Sequence, residues 1–117
     1  MVKENPKHTV WIEVESWAPG EWTPDNDSTD VIVTSADGSR RIATFISYEY
    51  IRTLTERNRR SGENISGAYL WVRDMVLIDE VSRPRIEEVV NDLISGGDFE
   101  LAFRHCSDEE MAAFERK

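Results

Sequence analysis

Three aspartates, Asp25, Asp27 and Asp30, crowd into the heptapeptide PDNDSTD. Alternating acids separated by Asn and Ser are the residue types that open a calcium loop. A helix-loop-helix calcium site also needs a glycine at its sixth position for the turn and a glutamate at its twelfth to close the ligand shell. Counted from Asp25, those positions hold Asp30 and Ala36. The stretch is therefore expected to be a solvated acidic loop that binds no metal, and with Trp22 beside it such a loop suits contact with a basic protein.

Other chemistries find less. A structural zinc needs four soft or borderline ligands, and the chain offers Cys106, His8 and His105. His105 adjoins Cys106, and neighbouring side chains diverge in both helices and strands, so that pair makes a poor base and nucleophile; a half-buried structural thiol is expected. No G-x-S-x-G, G-x-x-x-x-G-K-[ST] or G-x-G-x-x-G occurs, which removes the usual signatures of a serine nucleophile and of a phosphate-binding loop. Asp74 stands inside an apolar run beside Arg73, and a buried charge there requires a partner. Tyr69, Trp71, Arg73 and Asp74 together form the candidate pocket. No catalytic, cofactor-binding or metal-ligating set is predicted, and an enzyme is the less favoured class.

Aromatic residues form the remaining group. Trp11, Trp17 and Trp22 sit among acids in the N-terminal quarter, and Trp and Tyr dominate the energetic centres of protein interfaces. Together with Asp25, Asp27 and Asp30 they form the candidate protein interface.

The elements that must position these residues follow from periodicity. Residues 9–17 alternate Val10, Ile12 and Val14 with Trp11, Glu13 and Glu15, the period-two pattern of a half-buried strand. Residues 31–35 and 41–46 read as a hairpin about Asp37–Gly38. Ser47 is placed to cap a helix from Tyr48 to Arg60 that Gly62 stops. AYLWVRDMVLID, residues 68–79, is expected to be extended and largely central to a sheet, with a kink, a bulge or two short strands where Arg73 and Asp74 interrupt it. Ile86, Val89, Val90, Leu93 and Ile94 make one stripe of a helix over 83–95, with Pro84 in its first turn and Gly96–Gly97 at its end. Residues 99–105 fit either state, a short helix being preferred. The tail carries a capping box, Ser107 with Glu110, ahead of Met111 and Phe114. This order predicts one α+β domain over 1–117: a mainly antiparallel sheet of four or five strands, covered on one face by two main helices, with a short C-terminal helix.

Charge narrows the partners. The net charge is −9 and the pI near 4.7, which disfavours nucleic acid, whose binding requires phosphate neutralisation. Residues 1–30 hold two basic and seven acidic side chains, residues 31–60 six and three, and residues 61–117 six and thirteen. Acidic fields of this kind raise association rates with basic proteins. One cysteine, no apolar run in MVKENPKHTV, and no stretch near the ~18 apolar residues of a membrane span predict a cytoplasmic protein without a leader or membrane anchor.

The stretch ATFISYEYIRTLTERNRRSGENISGAYLWVRDMVLIDEVSRPRIEEVVNDLISGGDFELAF resembles a group of small bacterial proteins of uncharacterised function. The helix leading to SGENISG and the run YLWVRDMVLIDEVS into RIEEVVNDLI carry the resemblance. In size, acidity and lack of catalytic motifs the chain is also similar to immunity proteins, which neutralise toxins by binding them. The function expected is thus a non-catalytic protein-binding module, of the immunity type, for a basic toxin or effector. The alternative is a small-molecule-binding protein or small enzyme with its pocket near Tyr69–Asp74.

Overall fold

The hairpin is the centre of the molecule. In the computed structural model, which describes residues 8–115, β2 (Ser28–Thr34) and β3 (Arg40–Ser47) pair antiparallel from Ser28↔Ile46 to Thr34↔Arg40. Residues 1–7, where no leader is expected, and the Phe114 side chain lie outside the described residues. Gly38 turns the hairpin at φ 89°, a conformation that costs a residue without Cβ little. Asp37 Oδ1 accepts from the Ser39 amide at 2.9 Å.

Alternation along the hairpin puts Val31, Val33, Ala43 and Phe45 on one face, all buried. There they meet α3 (Arg83–Gly96), whose Ile86 and Val90 are fully buried and whose Val89, Leu93 and Ile94 pack at the margin. Full burial of an aliphatic side chain of this size is worth about 1.5–3 kcal/mol. Local signals set the bounds of α3: the Ser82 hydroxyl accepts from Arg85 N–H, Pro84 occupies the first turn, and Gly97 closes the helix at φ 83°. On the opposite face Ile32, Ile42 and Cys106 form a smaller cluster, joined by Trp11 and Met111.

β1 (Thr9–Ile12) pairs antiparallel with β2 but is shorter than its alternation predicts. The register Ile12↔Val31 would next set Glu13 opposite Asp30, and like charges directly opposite are unfavourable. The chain instead forms a 3-10 turn over Glu13–Ser16, within which Val14 is buried and its amide donates to Thr29 Oγ1 at 3.1 Å.

The largest departure concerns residues 68–79. Only β4 (Met75–Ile78) is a strand, and it is an edge strand rather than a central one. It pairs parallel to β3 from Thr44↔Met75 to Ser47↔Ile78. The other half of that side of β3 is taken by β5 (Arg104–His105), antiparallel through Arg41↔His105 and Ile42↔Arg104. Two short strands thus share one edge. The sheet has five strands and is mainly antiparallel, with β3–β4 the one parallel pairing among the described residues. A parallel pair requires a crossover, and α1 (Tyr48–Ser61) supplies it, capped by Ser47 and stopped by Gly62 at φ 87°. The ambiguity over residues 99–105 resolves both ways, as the short helix α4 (Phe99–Ala102) followed directly by β5.

Between α1 and β4 lies α2 (Glu63–Gly67), a left-handed helical turn. Asn64, Ile65 and Ser66 have φ of 53°, 52° and 55°, and Gly67 follows at 84°. Left-handed helix costs L-residues roughly 1–2 kcal/mol each, and a β-branched Ile65 there is a genuine outlier. Gly67 makes the return possible: a Cβ at that position would lie 2.8 Å from the backbone oxygen of Thr55 in α1. No residue of α1, α2 or the 68–74 segment belongs to either core cluster. They form an arm beside the sheet.

Candidate functional site

Two features stand out where arm and sheet meet. The first is a polar cleft of about 310 Å³ lined by Asp30, Thr44, Arg73, Asp74, Arg104 and Glu110, with Ile42, Ala43 and Val72 behind them. Asp74 is held there by its backbone, at φ 52° with its carbonyl accepting from the Thr44 amide at 2.9 Å. Its buried Oδ2 lies 2.8 Å from Arg104 Nε and 3.5 Å from Arg73 Nε. Arg104 extends from β5 and also grips Glu110 of α5 (Asp108–Glu115) through two nitrogens, the Nη1–Oε1 contact being 2.8 Å. Thr44 Oγ1 donates to Asp30 Oδ1 at 2.8 Å.

This cleft ties elements together and is poorly equipped for proton transfer. The Arg104 hydrogen bonds, supported by the Ser107 amide, hold Glu110 down to about 2 from its ordinary 4.5. A carboxylate so stabilised remains ionised at neutral pH and has no proton to give. Its partner Arg104 is pushed up by the same bonds. The capping box read in the tail is present: Ser107 N–H donates to Glu110 Oε1 at 3.1 Å, and Glu110 N–H to Ser107 Oγ at 3.2 Å. Cys106 is buried, and burial raises its thiol above the ordinary value, which removes the thiolate a nucleophile needs.

The aspartates of PDNDSTD separate in the fold. Asp27 is a turn residue, its Oδ2 accepting from Thr23 N–H and its Oδ1 from Ser28 N–H. Its own amide donates to Ser47 Oγ at 3.1 Å, so the loop is pinned to the cap of α1. Asp30 is in β2, opposite Thr44 and in the cleft. Asp25 is exposed. Among the described residues, no three His, Cys, Asp or Glu side chains converge as a metal site would require. The tryptophans separate too: Trp22 packs against the main core, Trp11 against the smaller cluster, and Trp17 remains exposed.

The second feature is a ridge. From Tyr69 to Leu77 exposure alternates: residues 69, 71, 73, 75 and 77 face solvent, while 70, 72, 74 and 76 are turned inward. The outward set carries Tyr69, Trp71, Met75 and Leu77, exposed by 54%, 76%, 37% and 42%. Arg73 interrupts this otherwise apolar series. Ile65 at the tip of the arm is 76% exposed. Asn64 Nδ2 donates to Tyr69 O at 3.1 Å, fixing the start of the ridge to the left-handed turn. Four exposed apolar side chains between Tyr69 and Leu77 exceed the scattered apolar residues normal for a protein surface.

Of the four residues predicted to line a pocket, Arg73 and Asp74 do so, whereas Tyr69 and Trp71 stand on the ridge. Arg104, Glu110 and Thr44 complete the cleft and were not singled out as site residues in the sequence. Glu110 was visible only as a cap, and nothing local linked Arg104 to Asp74. Comparison with protein families, with curated proteins and with solved structures finds no match to this chain.

Proposed function

We propose that this chain is a non-catalytic protein-binding module, and that the ridge from Tyr69 to Trp71, with Ile65 at the arm tip, is its contact surface. The observation carrying the reading is the exposure of Tyr69 and Trp71 on an arm none of whose residues belongs to either core cluster. A left-handed turn that costs stability and presents an exposed isoleucine fits a segment retained for contact, since strained backbone collects at binding sites. Trp17 and Asp25 are exposed as well. The net charge of −9 favours a basic protein at long range, the relation an immunity-type protein has to a basic toxin or effector.

The test compares capture from native lysate at low salt by the wild-type chain, Trp71→Ala and Trp17→Ala, followed by binding of the captured protein in purified form. Loss of affinity in Trp71→Ala at unchanged melting temperature supports the reading. Equal binding by all three chains defeats it.

The cleft favours a second reading, a site for a small polar ligand beside Arg73 and Asp74. Its charges are already paired, so a ligand must displace Glu110 or Asp74 from Arg104. Thermal-shift screening with small anions decides this: a shift abolished by Arg104→Gln supports a ligand site, and no shift leaves the cleft a structural lock.

A further inference from the structure

The two edges of the sheet are finished differently. On β1 the Val10 carbonyl is taken by Arg83 Nη2 at 2.9 Å. β4 reads Met75-Val76-Leu77-Ile78, without charge, proline or bulge. Its register with β3, and the Thr44 amide on Asp74 O, mean that Val76 turns its N–H and C=O inward while Met75 and Leu77 turn theirs outward, as the parallel ladder requires. No described residue hydrogen-bonds those outward groups. Natural sheets protect such edges with charges, proline or a covering element.

We infer that β4 pairs with β4 of a second copy of this chain, antiparallel about a two-fold axis at Val76. The sequence around the edge is complementary to itself in that register alone. Met75 of each copy then lies opposite Leu77 of the other, and these are the residues whose backbone groups point outward. Their exposed side chains adjoin on one face. One step further out, Arg73 of each copy comes to the end of the strand that carries Asp79 of the other. Both side chains are largely exposed, by 70% and 56%. Each already makes an exposed ion pair within its own chain, Arg73 with Asp74 and Asp79 with Arg85, and such solvent-exposed pairs are weak enough to exchange for one across the two-fold. With the axis at Leu77, Met75 would face Asp79 and Arg73 would face Val81. With the axis at Met75, Arg73 would face Leu77. Registers displaced by an odd step set outward groups against inward ones and lose the hydrogen bonds. An isologous contact of this kind is the commonest form of oligomer.

The dimer carries one sheet through both copies and shows both ridges on the same side, which would give a partner with two epitopes the advantage of avidity. It is independent of the heteromeric reading: a monomer that still captures a partner through Trp71 defeats the dimer alone.

Sedimentation equilibrium across roughly a hundredfold range of micromolar concentrations tests it, because self-association depends on protomer concentration. The expected result is a species of twice the 13.5 kDa chain mass that dissociates on dilution. Leu77→Lys should be monomeric throughout. Arg73→Glu and Asp79→Arg should each weaken the dimer at least about tenfold, and the double variant should recover most of that loss, since opposed charges determine register. If Leu77→Lys fails to fold by circular dichroism, the charge exchange decides, because both positions lie outside the strand. A wild-type chain that stays monomeric, including one that binds another protein's strand at this edge, overturns the inference. So does a dimer indifferent to both charge reversals, or a double variant no better than the singles.

Discussion

Arg83 joins the first turn of α3 to the first strand: its Nη2 donates to the Val10 carbonyl at 2.9 Å while the same guanidinium holds Glu15 at 2.8 Å. It also reaches Glu87, and these contacts push its pKa further above the ordinary arginine value, the Glu15 hydrogen bond most of all. One side chain thereby closes a sheet edge, anchors the 3-10 turn and sets α3 across the core. Arg83→Met should lower stability in urea by about 1 kcal/mol, the modest figure reflecting solvent screening at a partly exposed site. Amide exchange at residues 9–16 should accelerate more than exchange in β3. Uniform acceleration across the sheet would show that Arg83 has no local role.

Two glycines separate backbone strain from collision. Gly62 and Gly67 both have positive φ, at 87° and 84°. A Cβ at Gly62 meets nothing within 4 Å, whereas at Gly67 it would lie 2.8 Å from Thr55 O. Gly62→Ala should cost about 1 kcal/mol, the penalty of the left-handed region alone. Gly67→Ala should cost clearly more, about 3 kcal/mol, because backbone strain and displacement of the arm add. Equal losses in chemical denaturation would mean that α2 does not press on α1.

Acid should loosen the tail first. The Glu110 pKa is depressed in the folded chain, so its contribution to stability is complete above about 4.5 and is lost as pH falls toward about 2. Denaturation midpoints measured through that window should fall for the wild type and change less for Glu110→Gln. That variant should already be weaker at neutral pH. A wild-type profile identical in shape to the variant's would remove the Arg104 pair from the account of stability.

Core truncations should rank by burial. Phe45→Ala removes a ring with no exposed surface that packs edge-on to Phe103 at 5.8 Å, and should cost about 3–5 kcal/mol. Leu93 is on the same stripe as Ile86 but only half-buried, so Leu93→Ala should cost nearer the low end of the 2–5 kcal/mol typical of Leu→Ala. A larger loss at Leu93 than at Phe45 would misplace α3.

The tryptophans should divide by role. Trp22→Ala should lower the melting temperature, because the ring packs on the main core. Trp71→Ala, at a side chain three-quarters exposed, should leave the stability within about half a kcal/mol of the wild type and the melting temperature nearly unchanged, as surface changes usually do. The reverse pattern in a thermal melt would exchange their assignments.

Where an outcome depends on residues a few positions apart, the sequence by itself determined it. Ser47 before α1 and Gly62 after it, Ser82, Pro84 and Gly97 around α3, the Ser107–Glu110 box and the Gly38 turn all satisfy backbone groups within one or two turns, so their geometry is legible from spacing alone. The α3 stripe is equally local, because a 3.6-residue period requires no knowledge of what it will cover. The tertiary structure alone decided how β3 divides its free side between β4 and β5, since both strands are short, aliphatic or basic, and distant in the chain. That division moved Tyr69, Trp71, Met75 and Leu77 from an expected interior to the surface: apolar composition promises burial, but an edge strand has one side with nothing to bury against. It also brought Arg104 to Asp74 across thirty positions of sequence, and it separated Asp27 from Asp30, one to a turn and one to a cleft. Sequence spacing carries hydrogen bonds and periodicity along the chain; the register between distant strands is a balance over the whole sheet, and no single stretch contains it.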